Sequence, residues 1–324
     1  MEFTPDYKLN ILDENNYSSQ MCLVKNKLAE CRNEGFFTAF DGKKIFYEYF
    51  LAKNSTASIV IVHGLSEFTK KFYELAYYLL NAGYNVFLYD QRCHGKSERL
   101  TDNSELIHVE NFNDYVVDLD VFVENIVSKA SDKPINIYCH SMGGAVTALY
   151  LSKKSERIKK AVFTSPMIEP LVKNAPVLLA KLFMTLQMIF LDKSSKWQFC
   201  EPFDPSVTFS RSGNSSEARF KYNFGMRLDD LDYRTTPMSI SWVYGSLMVK
   251  DKIFRKNLIK RIKTPILLFS AQKDTVVSTK AQMDFVKRSK SCEVEKLDNA
   301  KHSILTSDSK ELEAHIKTVM DFFE

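Results

Sequence analysis

Short apolar, β-branched runs alternate with stretches of helical spacing along most of this 324-residue chain, and that alternation restricts the fold more than any other feature. Residues 58–63 (SIVIVH), 84–89 (YNVFLY), 134–139 (PINIYC), 160–164 (KAVFT) and 265–270 (PILLFS) have the continuous apolar character of strands buried on both faces. Helical spacing occupies 68–81, 111–130, the stretch after Ser141 through Leu151, and 280–290. A strand at 292–297 and a last helix from about Ser309 close the chain. Residues 36–40 and 44–50 read as a hairpin with Asp41-Gly42 as its turn. Strands separated by helices in this way predict an α/β fold, a mostly parallel central sheet with helices on both faces.

From 166 to 263 the alternation stops. This stretch is mostly helical, rich in Met and aromatic residues, with polar loops such as 210–217. An insertion of that size between two strands predicts a helical cap over the carboxyl edge of the sheet. The chain then divides into a core, 35–165 with 264–324, and a cap, 166–263. Residues 1–34 read as an N-terminal extension to which no structure is assigned. Lys plus Arg number 44 against 40 Asp plus Glu, a net charge of +4, so no overall field recruits nucleic acid. The six cysteines (22, 31, 93, 139, 200 and 292) include no CxxC pair and form neither a disulfide framework nor a zinc pattern. The start of the chain lacks the basic and apolar regions of a signal peptide. The greasiest run, 177–191, is interrupted by Lys181 and falls short of the roughly 20 residues of a spanning helix. The expected location is cytoplasmic, with a peripheral contact at the inner face of the membrane left open and the oligomeric state unspecified.

In an open parallel sheet, ligands gather beyond the carboxyl ends of the strands. Tyr138-Cys139-His140-Ser141-Met142-Gly143-Gly144 joins a buried strand to a helix there. A serine on so sharp a turn projects its hydroxyl out of the sheet, and small neighbours let helix and strand approach closely. Such a serine needs a base. Of the six histidines, His302 lies in a loop between the last strand and the last helix, at the same edge. Asp274 follows strand 265–270 and is placed to fix the imidazole tautomer. The order Ser141, Asp274, His302 is that of an α/β-hydrolase triad. Gly64, after strand 58–63, lets the Leu65 N–H face the serine; with the Met142 N–H it would form an oxyanion hole. Asp90, Arg92 and His94 read as loop-holding groups. Cys93-His94 and Cys139-His140 fit no zinc spacing, so no metal or cofactor is implied.

These stretches together resemble the serine α/β-hydrolases of the bacterial lysophospholipase and monoacylglycerol lipase group. The matching segments are HGLSEF (63–68), the run from Phe72 to Arg99, HSMGG (140–144), KDTVV (273–277) and AKHSIL (300–305). Cys93 and Cys139 stand where the family pattern has glycine. In the cap, 214–220 (NSSEARF) and 237–242 (PMSISW) are more similar to the lysophospholipase branch. The resemblance implies a carboxylester hydrolase whose substrate is a lipid with one acyl chain, a lysophospholipid first, with monoacylglycerol or short-chain esters as alternatives. A binding protein on a retired hydrolase scaffold is an alternative of another class.

The cap bears on that choice. Residues 177–191, bordered by Asn174 and Asp192, make an apolar helix whose Met and Phe side chains suit a flexible acyl chain, or else pack into the cap's own core. Residues 250–263 hold seven basic residues and one acid, suited to anionic headgroups or to an ordinary solvated face.

Overall fold

A computed structural model describes residues 1–172 and 176–324, the Lys256 side chain excepted. Eight strands form one sheet: β1 (Arg32–Thr38), β2 (Lys44–Phe50), β3 (Ala57–Val62), β4 (Tyr84–Tyr89), β5 (Ile135–His140), β6 (Ala161–Thr164), β7 (Ile266–Ala271) and β8 (Cys292–Leu297). Their order is β1-β2-β4-β3-β5-β6-β7-β8. β2 runs antiparallel to β1 and β4, and every neighbouring pair from β4 to β8 is parallel. Successive residues of the central strands feed opposite layers. Val60, Val62, Ile137, Cys139, Phe163 and Leu268 enter one apolar cluster, and Ile59, Ile61, Tyr138, Val162 and Phe269 enter the other. This two-sided burial is why these strands are apolar throughout.

The first layer is completed by α3 (Asn113–Phe122), α5 (Met142–Lys154) and α10 (Thr279–Arg288), the second by α2 (Tyr73–Asn81) and α11 (Ser309–Phe323). The helical stretch 111–130 is not uniform: α3 passes through a π-helical turn, Val123–Val127, into the short α4 (Ser128–Ala130). Likewise a 3₁₀ turn, Thr69–Phe72, precedes α2. β1 starts earlier than the expected hairpin strand, because Arg32, Asn33 and Glu34 pair with β2 although their own side chains are polar.

Residues 1–34, given no structure by the sequence reading, are built into the second layer. Phe3 bridges Ala52, its N–H donating to the Leu51 carbonyl at 2.7 Å. Helix α1 (Tyr17–Cys31) buries Tyr17, Met21, Val24, Leu28 and Cys31 beside α2. Those positions form one helical stripe, but its outward face of Ser, Gln, Lys and Asn dilutes the pattern over any window.

Between β6 and β7 lie α6 (Val177–Phe190), α7 (Glu217–Asp229), α8 (Ile240–Leu247) and α9 (Val249–Phe254). Asn174, expected to border the apolar helix, lies outside the described residues. α6 buries only Met184 fully; Leu178 is 76% exposed and Phe190 77%. Bridges tie this segment back: Pro170 to Val277, and Met238 to Ile107. Among the described residues no helix is long and apolar enough to cross a membrane.

If α1 is part of the packed layer, Leu28→Ala leaves a cavity and lowers the free energy of unfolding by about 2–5 kcal/mol. A reduced urea midpoint at unchanged m-value reads this; an unmoved midpoint would mean that the helix contributes nothing.

Candidate active site

β5 ends at His140 and α5 starts at Met142, so Ser141 alone reverses the chain, at φ 49° and ψ −115°. A side-chain-bearing residue held there costs of order 1–3 kcal/mol and persists only where its surroundings enforce it. Here the Ser141 N–H donates to the Thr164 carbonyl at 3.1 Å, and the Ser141 carbonyl accepts from Gly144 N–H (2.9 Å) and Met167 N–H (2.8 Å). A Cβ on Gly143 would strike the Val62 carbonyl, and one on Gly144 would lie 2.5 Å from Pro166 Cβ. The two glycines are what allow α5 to start against the sheet.

The structure brings Ser141, His302 and Asp274 into one hydrogen-bonded row. His302 Nε2 lies 2.9 Å from Ser141 Oγ, and His302 Nδ1 lies 2.7 Å from Asp274 Oδ2. Burial alone would raise the Asp274 carboxyl. The His302 contact and the Val276 and Val277 N–H groups outweigh it and hold the group below its ordinary value. An ionised Asp274 keeps the proton of the imidazole on Nδ1, leaving the Nε2 lone pair for the serine hydroxyl. Ser141 is 6% exposed, and the Asp274 side chain is inaccessible.

The segment after β3 passes directly over the serine: a Cβ on Gly64 would sit 3.1 Å from Ser141 Cβ. Neither Leu65 N–H nor Met142 N–H, the latter at the head of α5, has an acceptor among the described residues. Glu67 fixes the segment by accepting from Gly64 N–H and by pairing with Lys71 at 2.6 Å. Burial would raise its carboxyl; Lys71, His140 and His63 reverse this and draw it down to about 2. From beneath, Gln91 N–H donates to His63 Nε2 at 2.9 Å, so Nδ1 carries the proton given to the Gly64 carbonyl at 2.7 Å. Burial takes His63 down to about 4, so it is neutral in this role.

The Asp90–Ser97 stretch holds loops, as expected. The Asp90 carboxylate accepts from Thr69 and Lys96 N–H, and buried Arg92 grips Asp118 and Asp41. The two cysteines at family glycine positions differ. Cys139 lies within β5, its side chain in the apolar layer and its thiol pushed up by burial. No unusual backbone is required there, so a small side chain suffices. Cys93 does take a positive φ of 61°, the conformation glycine adopts freely. The role of Glu67 was missed, although its carboxylate in the turn after a strand was visible in the sequence. A second omission, buried Arg219 on α7, had no local signal, because its partners lie far away in the chain.

Sheet order, strand-to-helix serine turn and imidazole–carboxylate row together define an α/β-hydrolase. The family model described as serine aminopeptidase, S33, matches residues 53–309, and the chain belongs to that family. It is 29% identical to lysophospholipase L2 of Escherichia coli (strain K12) over 256 residues, 77% of this chain and 73% of that protein. It is 23% identical to monoglyceride lipase of Mus musculus over 256 residues, 78% of this chain and 76% of that one. Among solved structures, a soluble variant of monoglyceride lipase from Saccharomyces cerevisiae, in complex with a substrate analog, superposes with a TM-score of 0.73. That alignment has 21% identity and covers 91% of this chain and 95% of the other.

Gly143→Ala should force α5 away from β3, costing about 1–3 kcal/mol or more in an unfolding titration. Equal stability of the two proteins would show that the close approach is not required.

Proposed function

We propose that this chain is a serine hydrolase cleaving the carboxylic ester of a lipid with a single acyl chain, a lysophospholipid first. The observation that carries the reading is the Asp274–His302–Ser141 row, with two nearby N–H groups that have no partner among the described residues. His302 Nε2 takes the proton of Ser141 as Oγ attacks the ester carbonyl. The Leu65 and Met142 N–H groups receive the oxyanion, aided by the positive end of α5. Collapse of this intermediate returns the proton from His302 to the departing alcohol and leaves an acyl-serine. A water deprotonated by His302 then releases the fatty acid.

The substrate class rests on kinship and on the inserted segment. Lysophospholipase L2 of Escherichia coli and monoglyceride lipase of Mus musculus align over 77% and 78% of the chain. Residues 166–263 act in this reading as a lid, and the apolar face of α6 meets acyl chains or the lipid surface that holds them. Arg255, Lys260, Arg261 and Lys263 are exposed and available to anionic headgroups, whereas Lys250 is committed to Glu169 and Asp284.

A panel of lysophosphatidylcholine, lysophosphatidylethanolamine, monoacylglycerol, p-nitrophenyl esters and an aminoacyl p-nitroanilide tests the assignment. A kcat/KM highest on the lysophospholipids is expected. Highest activity on monoacylglycerol would move the chain to the other branch, and on the anilide to peptidase chemistry. Ser141→Ala should abolish both turnover and fluorophosphonate labelling. Asp274→Asn should lower kcat about 10⁴-fold, because the imidazole loses its fixed tautomer.

For the lid, Leu178→Glu with Phe190→Glu should weaken co-sedimentation with phospholipid vesicles about tenfold or more, since each apolar side chain buried is worth about 1.5–3 kcal/mol. Unchanged sedimentation would remove α6 from membrane contact.

A further inference from the structure

Three parts of the chain meet at one buried cation. Arg219 on α7 is wholly buried, its guanidinium 5.1 Å above the Tyr17 ring. Its Nη2 and Nε reach Glu74 of α2 at 2.8 and 3.0 Å, and further contacts go to the carbonyls of Leu12 (3.4 Å) and Ser307 (3.3 Å). Glu14, just before α1, closes the cluster. Its Oε1 lies 3.3 Å from Arg219 Nη1 and accepts from Ser309 N–H at 2.8 Å; its Oε2 accepts from the Ser216 hydroxyl at 2.7 Å.

Two of these ties, Arg219 to the Ser307 carbonyl and Glu14 to Ser309 N–H, land at the end of the loop that carries His302. Ser307 and Ser309 form its exit into α11. Within it, the Thr306 carbonyl accepts from Ser215 N–H (3.1 Å) and Ser216 N–H (2.8 Å), and Lys301 Nζ donates to the Asn214 carbonyl at 2.9 Å. The loop leans on the segment leading into α7, and that segment is locked by Glu14 and Arg219.

We propose that Glu14 and Arg219 are positioning residues for His302: the N-terminal segment and the start of α7 form a clamp that sets the imidazole at its working distance from Ser141. The inference rests on the serine-hydrolase reading and extends the active-site framework to residues 12–17. Misplacement of a reacting group by about 1 Å costs on the order of 10²-fold in rate, so a loosened loop is felt in turnover before it is felt in substrate binding.

The test compares Glu14→Ala with Glu14→Gln, which keeps a carbonyl oxygen for the Ser309 N–H. Fluorophosphonate titration counts competent sites, so that kcat on p-nitrophenyl butyrate and the labelling rate are both expressed per site. Glu14→Ala should lower both about ten- to hundredfold with KM changed less than about twofold, and Glu14→Gln should recover most of the loss. Per-site rates of Glu14→Ala within about twofold of wild type would overturn the proposal, as would a loss accounted for entirely by fewer competent sites. If Glu14→Ala fails to fold, Lys301→Met carries the same test, since it unties Asn214 without touching the buried cluster; an unchanged kcat there overturns the clamp. A wild-type chain that fluorophosphonate does not label would instead sink the hydrolase reading, and this inference with it.

Discussion

Because α5 packs with Gly143 against the Val62 carbonyl, the chain between β5 and α5 has a single residue in which to reverse direction. Everything else in the site follows from that approach. It forces Ser141 to its positive φ, lifts the hydroxyl above the carboxyl edge of the sheet, and aims the first turn of α5 at the same point. His302 and Asp274 have only to arrive at the ends of neighbouring connections, which the parallel order β5-β6-β7-β8 provides. A sheet built of parallel strands makes this convergence ordinary, since each strand delivers its successor loop to the same rim.

Tyr7, Asn54, Cys93 and Asn257 take positive φ at scattered places, but three further residues of this kind cluster. Ser66, Ser141 and Ser165 all take positive φ, in the segments that leave β3, β5 and β6. These three strands are neighbours at the centre of the sheet, where the side chains are fully buried and least able to relax. Costs of this kind persist only where surrounding packing over-determines the backbone.

The sheet was legible in the sequence because strands buried on two sides cannot hide: 84–89 falls where its composition places it. The row of Ser141, Asp274 and His302 was legible for a related reason, each member following a strand whose end was already located. What escaped was whatever depends on contacts distant along the chain. Helix α1 has an apolar stripe too sparse to stand out until α2 is beside it. Arg219 looks like any lysine or arginine of a polar helix, and only the fold brings Glu74, Leu12 and Ser307 around it. The exposure of α6 was equally hidden, since apolar composition is the same whether a helix is covered or bare.

Glu14 bonds to Ser309 across a sequence separation of 295 residues, and Ser141 meets His302 across 161. During synthesis the earlier partner of each pair leaves the ribosome first and waits for the later one before the contact can close. Long-range contacts of this kind form late and slowly. A nascent chain therefore carries Ser141 for a long interval before His302 can reach it. For a protein proposed to cleave lipid esters, the folding order itself delays reactivity until the loop with His302 has been made.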